Sequence, residues 1–159
     1  MNVSIQQQDF DIAAELSAVR NGNGKIGALV SFAGLVRDFS GDATIQSIYL
    51  EHYPGMSERA LHKILEQATA RWELLDARIV HRVGQLLPSE QIVLVITAAM
   101  HRKAAFAGCE FIIDYLKTAA PFWKKEQTSQ GVVWVETRDS DVQQMQRWQR
   151  GHDQSGEKI

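Results

Sequence analysis

The chain has 159 residues, of which 45% are hydrophobic and 23% charged, and its formal net charge is −2. That composition describes one globular domain rather than a disordered chain, with no global attraction to nucleic acid or to an acidic membrane. The single cysteine, Cys109, excludes a disulfide framework and any cysteine-built zinc or iron–sulfur centre within one chain.

Met1 to Asp11 is polar and lacks the apolar core of a signal peptide. Val3 to Ile5 reads as a short strand. Asp11 to Val19 reads as a helix, with Ile12, Leu16 and Val19 at helical spacing. Asn21, Gly22, Asn23 and Gly24 form a turn, and Ile26 to Phe32 a strand. Gly34 to Asp42 carries Arg37, Asp38, Ser40 and Gly41, the composition of a mobile loop. Thr44 to Tyr53 is a strand that ends at Pro54 and Gly55. Ser57 is placed to cap the next helix, whose apolar stripe is Leu61, Ile64, Leu65, Ala68 and Trp72.

Arg78 to Val83 and Gln91 to Thr97 are strands joined through Pro88 and Ser89. Ile92 to Ile96 is apolar without alternation, as expected of a central strand covered on both faces. It is also the longest apolar run, far too short to span a bilayer, so the expected compartment is the cytoplasm. A helix follows from about Arg102 to Thr118, stopped by Pro121. Phe122 to Gln127 and Val132 to Glu136 flank a turn and read as a β-hairpin. Asp139 to Arg150 reads as a last helix. The order implies an α+β fold with a mixed, mainly antiparallel sheet; residues 1–150 form the domain and 151–159 a flexible tail. Neither GxGxxG nor GxxxxGK[ST] occurs, so dinucleotide and P-loop binding are unsupported.

Between His101 and Glu126, five basic residues (Arg102, Lys103, Lys117, Lys124 and Lys125) face three acidic ones (Glu110, Asp114 and Glu126). His101 and Arg102 stand where a buried strand becomes a helix, whose free N–H groups and dipole favour an anion. Lys117 lies in the last turn of that helix, about 22 Å away at 1.5 Å per residue, so the two ends cannot hold the same atom. Pro121 turns the chain so that Lys124 approaches Lys117, and crowded ammonium groups favour a reactive amine. Taken alone, Lys103 and Lys125 are simple solvated charges. Cys109, on the apolar face of its helix, reads as core. Trp72, Trp134 and Trp148 read as packing groups, and Trp123 as packing or as the wall of a pocket for a flat heterocycle. The five histidines show no metal-ligand spacing.

Several segments resemble the large, catalytic subunit of molybdopterin synthase: Phe32 to Arg37, Leu50 to Met56, His81 to Gly84, Ala99 to Arg102 and, most clearly, Asp114 to Glu126. The resemblance runs in order from about residue 25 to residue 149. It implies an α/β-hammerhead-type single domain with an added β-hairpin subdomain. It implies transfer of two sulfurs to cyclic pyranopterin monophosphate, giving the dithiolene of molybdopterin. The sulfur would arrive as the C-terminal thiocarboxylate of a small ubiquitin-like carrier with a Gly-Gly tail. Two large subunits would form a homodimer, with a small subunit at each end of a heterotetramer.

By the same resemblance, Lys117 and Lys124 are the catalytic residues. Arg37, His101 and Arg102 match substrate-anion residues, and Leu35, Val36, Lys125 and Glu126 line the same segments. Arg138 would reach the site of the partner protomer. Leu35 stands where a lysine is frequent and Lys125 where an arginine is, so one anion contact is in doubt. No metal or cofactor is implied. Two rivals remain: a non-catalytic docking module for a ubiquitin-like tail, and a stand-alone phosphoester enzyme.

Overall fold

The computed structural model describes residues 1–136 and 139–150; Arg138 and the expected tail lie outside them. The core is organised by β7 (Gln91–Ala99). It lies between β5 (Asp76–Arg82) and β2 (Ala28–Leu35), antiparallel to both, and β1 (Asn2–Gln6) joins β5 in parallel. Val93, Val95 and Ala99 pack with α2 (Met56–Trp72) and α3 (Arg102–Ala119). Leu94, Ile96 and Ala98 pack with α1 (Ile12–Arg20). Successive side chains of a strand point to opposite faces, and both faces are covered here, which is why the run is apolar without alternation.

The second sheet has the order β3 (Phe39–Ser40), β4 (Ala43–His52), β8 (Phe122–Thr128), β9 (Gly131–Val135), and β6 (Gly84–Leu86) also pairs with β4. The fold is therefore α+β and mainly antiparallel as expected, but built on two sheets. The expected hairpin, β8 and β9, is present and extends the second sheet along β4. Val36, Ile45, Ile48, Leu50 and Leu86 form the small core there.

Three local expectations need correction. Gly34 to Asp42 is not a plain loop: β2 continues through Leu35, and β3 turns back onto β4 across Gly41, whose φ of +60° suits a residue without Cβ. Ser57 does not cap α2. Gly55 occupies the N-cap, and the Glu58 carboxylate accepts from its N–H at 2.5 Å. Ser57 is fully buried instead; its hydroxyl accepts from Tyr53 N (3.2 Å) and donates to the Pro121 carbonyl (3.2 Å). It ties the start of α2 to the turn that follows α3. Trp134 is exposed rather than packed in a core.

The last helix, α4 (Asp139–Arg150), folds back along α3. Trp148 meets Trp72 edge-on at 5.3 Å and Phe111 at 5.6 Å, and its Nε1 donates to Asp114 Oδ2 at 2.7 Å. Arg71 donates to the Trp148 carbonyl at 3.0 Å. Among the described residues no helix is long and apolar enough to cross a membrane.

Candidate active site

The site forms where α3 gives way to β8. Ala120 caps α3, Pro121 blocks its continuation, and the chain reverses into a strand paired with β4. Phe122, Lys124 and Glu126 then share one face of β8, because side chains alternate. That face, with the last turn of α3, lines a cleft of about 450 Å³. Arg37, His81, Lys117, Phe122 and Lys124 contribute to it, over an apolar floor of Ile48, Leu50, Ile92 and Leu116. Glu136, just after β9, and Ser140 and Asp141, at the start of α4, close one side.

Each lysine has its own carboxylate. Lys124 Nζ lies 3.0 Å from Glu126 Oε1, and the Glu126 side chain is only 6% exposed. Lys117 Nζ lies 3.7 Å from Asp141 Oδ1 and is half exposed. The first pair is an inward strut; the second is a looser surface contact, weak by itself. Two ammonium groups and the Arg37 guanidinium facing one cavity make it suited to an anionic substrate and to stabilising developing negative charge.

Beneath them, the His81 ring lies flat on Phe122, with centroids 4.0 Å apart and planes 11° apart. Burial lowers its pKa to about 4, against the opposing effect of the Arg82 backbone hydrogen bond and with a smaller contribution from His52. His81 is therefore neutral near pH 7. Cys109 is buried in the main core, where burial raises its thiol to about 11, so it offers no thiolate to the cleft.

Arg37, Lys117 and Lys124 line the same cleft, with Glu126 behind Lys124. Other expected residues do not. Lys125 points to the opposite face of β8, beside Tyr49 and Gln85, with its ammonium 4.4 Å from the centre of the Trp134 ring. Leu35 is exposed outside the cleft, and Val36 is buried in the small core. Trp123 also stands on the outer face, edge-on to Tyr53. His101 and Arg102 are exposed at the far end of α3. His81, Phe122 and Asp141 are cleft residues that sequence reasoning missed; a lone histidine in a strand and an acidic residue in a surface helix carry no local signal.

The family model of the MoaE protein matches residues 5–119. The chain belongs to the MoaE protein family. It is 53% identical over 146 residues to the molybdopterin synthase catalytic subunit of Ralstonia nicotianae, covering 92% of this chain and 83% of that protein. It is 50% identical over 147 residues to the catalytic subunit of Vibrio cholerae, covering 92% and 97%. Among solved structures, the molybdopterin biosynthesis MoaE protein from Burkholderia ambifaria superposes with a TM-score of 0.81 at 53% identity, covering 93% of this chain and 97% of that one. Molybdopterin synthase from Staphylococcus aureus matches with a TM-score of 0.78 at 29% identity, over 84% and 96%.

Proposed function

We propose that this MoaE-family chain is the catalytic subunit of a molybdopterin synthase. It transfers sulfur from the C-terminal thiocarboxylate of a small ubiquitin-like carrier to cyclic pyranopterin monophosphate, building the dithiolene of molybdopterin in the cytoplasm. The observation that carries this reading is a cationic cleft without a sulfur nucleophile. Arg37, Lys117 and Lys124 face it, and the single cysteine lies buried elsewhere. A sulfur-transfer site of this kind takes its sulfur from a second protein.

Lys117, at the exposed rim, meets the incoming thiocarboxylate and stabilises the oxyanion of the tetrahedral intermediate. Lys124, held by Glu126, shares that work or holds substrate, and Arg37 binds its phosphate. His101 and Arg102 face solvent about 22 Å along α3 from Lys117, at 1.5 Å per residue, so they cannot serve the cleft of their own chain. A second copy can present them to it, which supports a homodimer of large subunits and hence a heterotetramer. Residues 1–150 act as one domain in this assembly.

The test combines the protein with thiocarboxylated carrier and cyclic pyranopterin monophosphate and assays the dithiolene product. Product formation that requires both is expected. Tight carrier binding with no product would instead indicate a docking module, and turnover without carrier a stand-alone phosphoester enzyme.

A further inference from the structure

His81 has no part in the chemistry assigned so far, yet it lines the same cleft as both lysines. It is the sixth residue of β5, paired with Val93 of β7, so the central sheet fixes its backbone. Phe122 fixes its ring plane. Its Nδ1 lies 2.8 Å from the Arg82 carbonyl oxygen. A carbonyl only accepts, so Nδ1 carries the hydrogen and Nε2 keeps its lone pair. Nothing among the described residues bonds to Nε2.

Most other polar side chains of the cleft are charged. Arg37, Lys117 and Lys124 only donate; Glu136 and Asp141 are carboxylates that accept, Asp141 being engaged by Lys117. Ser140 adds a neutral hydroxyl, but it is carried by α4 rather than by a flat ring stacked on Phe122. Cations of this sort hold a phosphate but do not distinguish what the phosphate is attached to. A neutral acceptor above the apolar floor of Ile48, Leu50, Ile92 and Leu116 is matched by a neutral N–H donor on a flat ring. A charged donor there would lose its hydration without gaining a countercharge.

We propose that His81 is a specificity-determining residue, whose Nε2 accepts a hydrogen bond from a ring N–H or amino group of the substrate. Resting on the proposed synthase reading, this assigns the heterocycle end of the substrate to the His81–Phe122 floor and the phosphate end to the cationic rim. The residue selects a nitrogen heterocycle over a simple phosphate ester. It transfers no proton, so it contributes to binding rather than to the rate of the bound complex.

Two substitutions separate the acceptor from the ring. His81→Phe keeps a flat ring on Phe122 and removes the acceptor; His81→Gln restores an acceptor without the ring. Calorimetric binding of cyclic pyranopterin monophosphate and of inorganic phosphate is measured for each, with steady-state kinetics in the assembled enzyme. His81→Phe is expected to weaken pterin binding about tenfold, the scale of one buried hydrogen bond, and to leave phosphate binding unchanged. KM rises with kcat within about twofold, and His81→Gln recovers part of the loss. A His81→Phe protein that binds and turns over the pterin like the wild type overturns the inference, and so does an equal loss of both ligands.

A second measurement does not depend on a folded variant. In the wild-type protein the ¹⁵N resonance of His81 Nε2 should shift when the pterin binds and stay put with phosphate; no shift with bound pterin also overturns the inference. If the wild type neither binds the pterin nor forms product, the synthase reading fails together with this one. Intact turnover with an unmoved Nε2 sinks only the role of His81.

Discussion

Lys124 and Glu126 point the same way from β8 and meet at 3.0 Å, the carboxylate buried and the ammonium one-third exposed. The pair fixes the lysine from beneath while leaving its outer side open to the cleft. Glu126→Gln keeps the size of the side chain and removes the countercharge. A charge-assisted hydrogen bond contributes about 1.5–3 kcal/mol, so single-turnover sulfur transfer should slow about 10- to 100-fold. Circular dichroism should remain that of the native fold. An unchanged rate would mean that Lys124 needs no fixing.

Among the described residues Lys117 is held by one ion pair, the 3.7 Å contact with Asp141, and surface pairs of that kind contribute about 0–1 kcal/mol. Lys117→Ala should therefore melt within a few degrees of the parent and bind the carrier normally. Transfer should fall by about 100-fold or more, the scale of losing an oxyanion donor. Asp141→Asn should leave activity within a few-fold, because it releases the lysine without removing it. Near-wild-type transfer by Lys117→Ala would take the residue out of the mechanism.

His81 also sets a pH dependence of stability. Its folded pKa of about 4 lies below the ordinary value of 6.5. Between these values the unfolded chain binds a proton that the folded protein refuses, so stability is complete above pH 6.5 and declines as pH falls toward 4. The loss is on the order of 3 kcal/mol, at 1.36 kcal/mol per pH unit. Denaturant midpoints measured across that window should fall for the parent and fall less for His81→Phe. Identical slopes would show that the carboxylates alone govern the acid response.

Trp148 anchors α4 to α2 and α3 through two edge-on aromatic contacts and the hydrogen bond to Asp114. Trp148→Ala should cost about 3 kcal/mol of α4 docking, at the low end for a large aromatic truncation because the ring is only partly buried. Hydrogen exchange should accelerate across α4 and leave α2 and the centre of β7 protected. Uniform acceleration through all helices would mean instead that α4 unfolds only with the rest of the chain.

Much of the main core was legible because its patterns are long. The stripe of α2, the apolar run of β7 and the stop at Pro121 each draw on several residues with one physical cause. β3 and β6, of two and three residues, are too short to show a period, so the second sheet and its β4 hub stayed hidden. At the site, Arg37, Lys117 and Lys124 were legible from charge, turn placement and resemblance. His81 and Asp141 were not, because β5 and α4 reach the cleft only through tertiary packing. Lys125, expected among the substrate-binding residues, faces outward, because a run of basic residues does not by itself show which of them a strand turns inward.

That alternation makes the site a matter of parity. Along β8 the even-numbered residues Phe122, Lys124 and Glu126 carry the chemistry and its floor, and the odd-numbered Trp123 and Lys125 face outward. Inserting or deleting one residue between Pro121 and Lys124, with the pairing to β4 kept downstream, would turn Phe122 out and leave Lys124 in place. Shifting the whole strand by one would hand the cleft Trp123 and Lys125 instead. A two-residue shift would restore the direction of every side chain but move Lys124 by about 6.6 Å, at 3.3 Å per residue, away from its partners. The strand therefore tolerates many changes of outward side chain and almost no change of length.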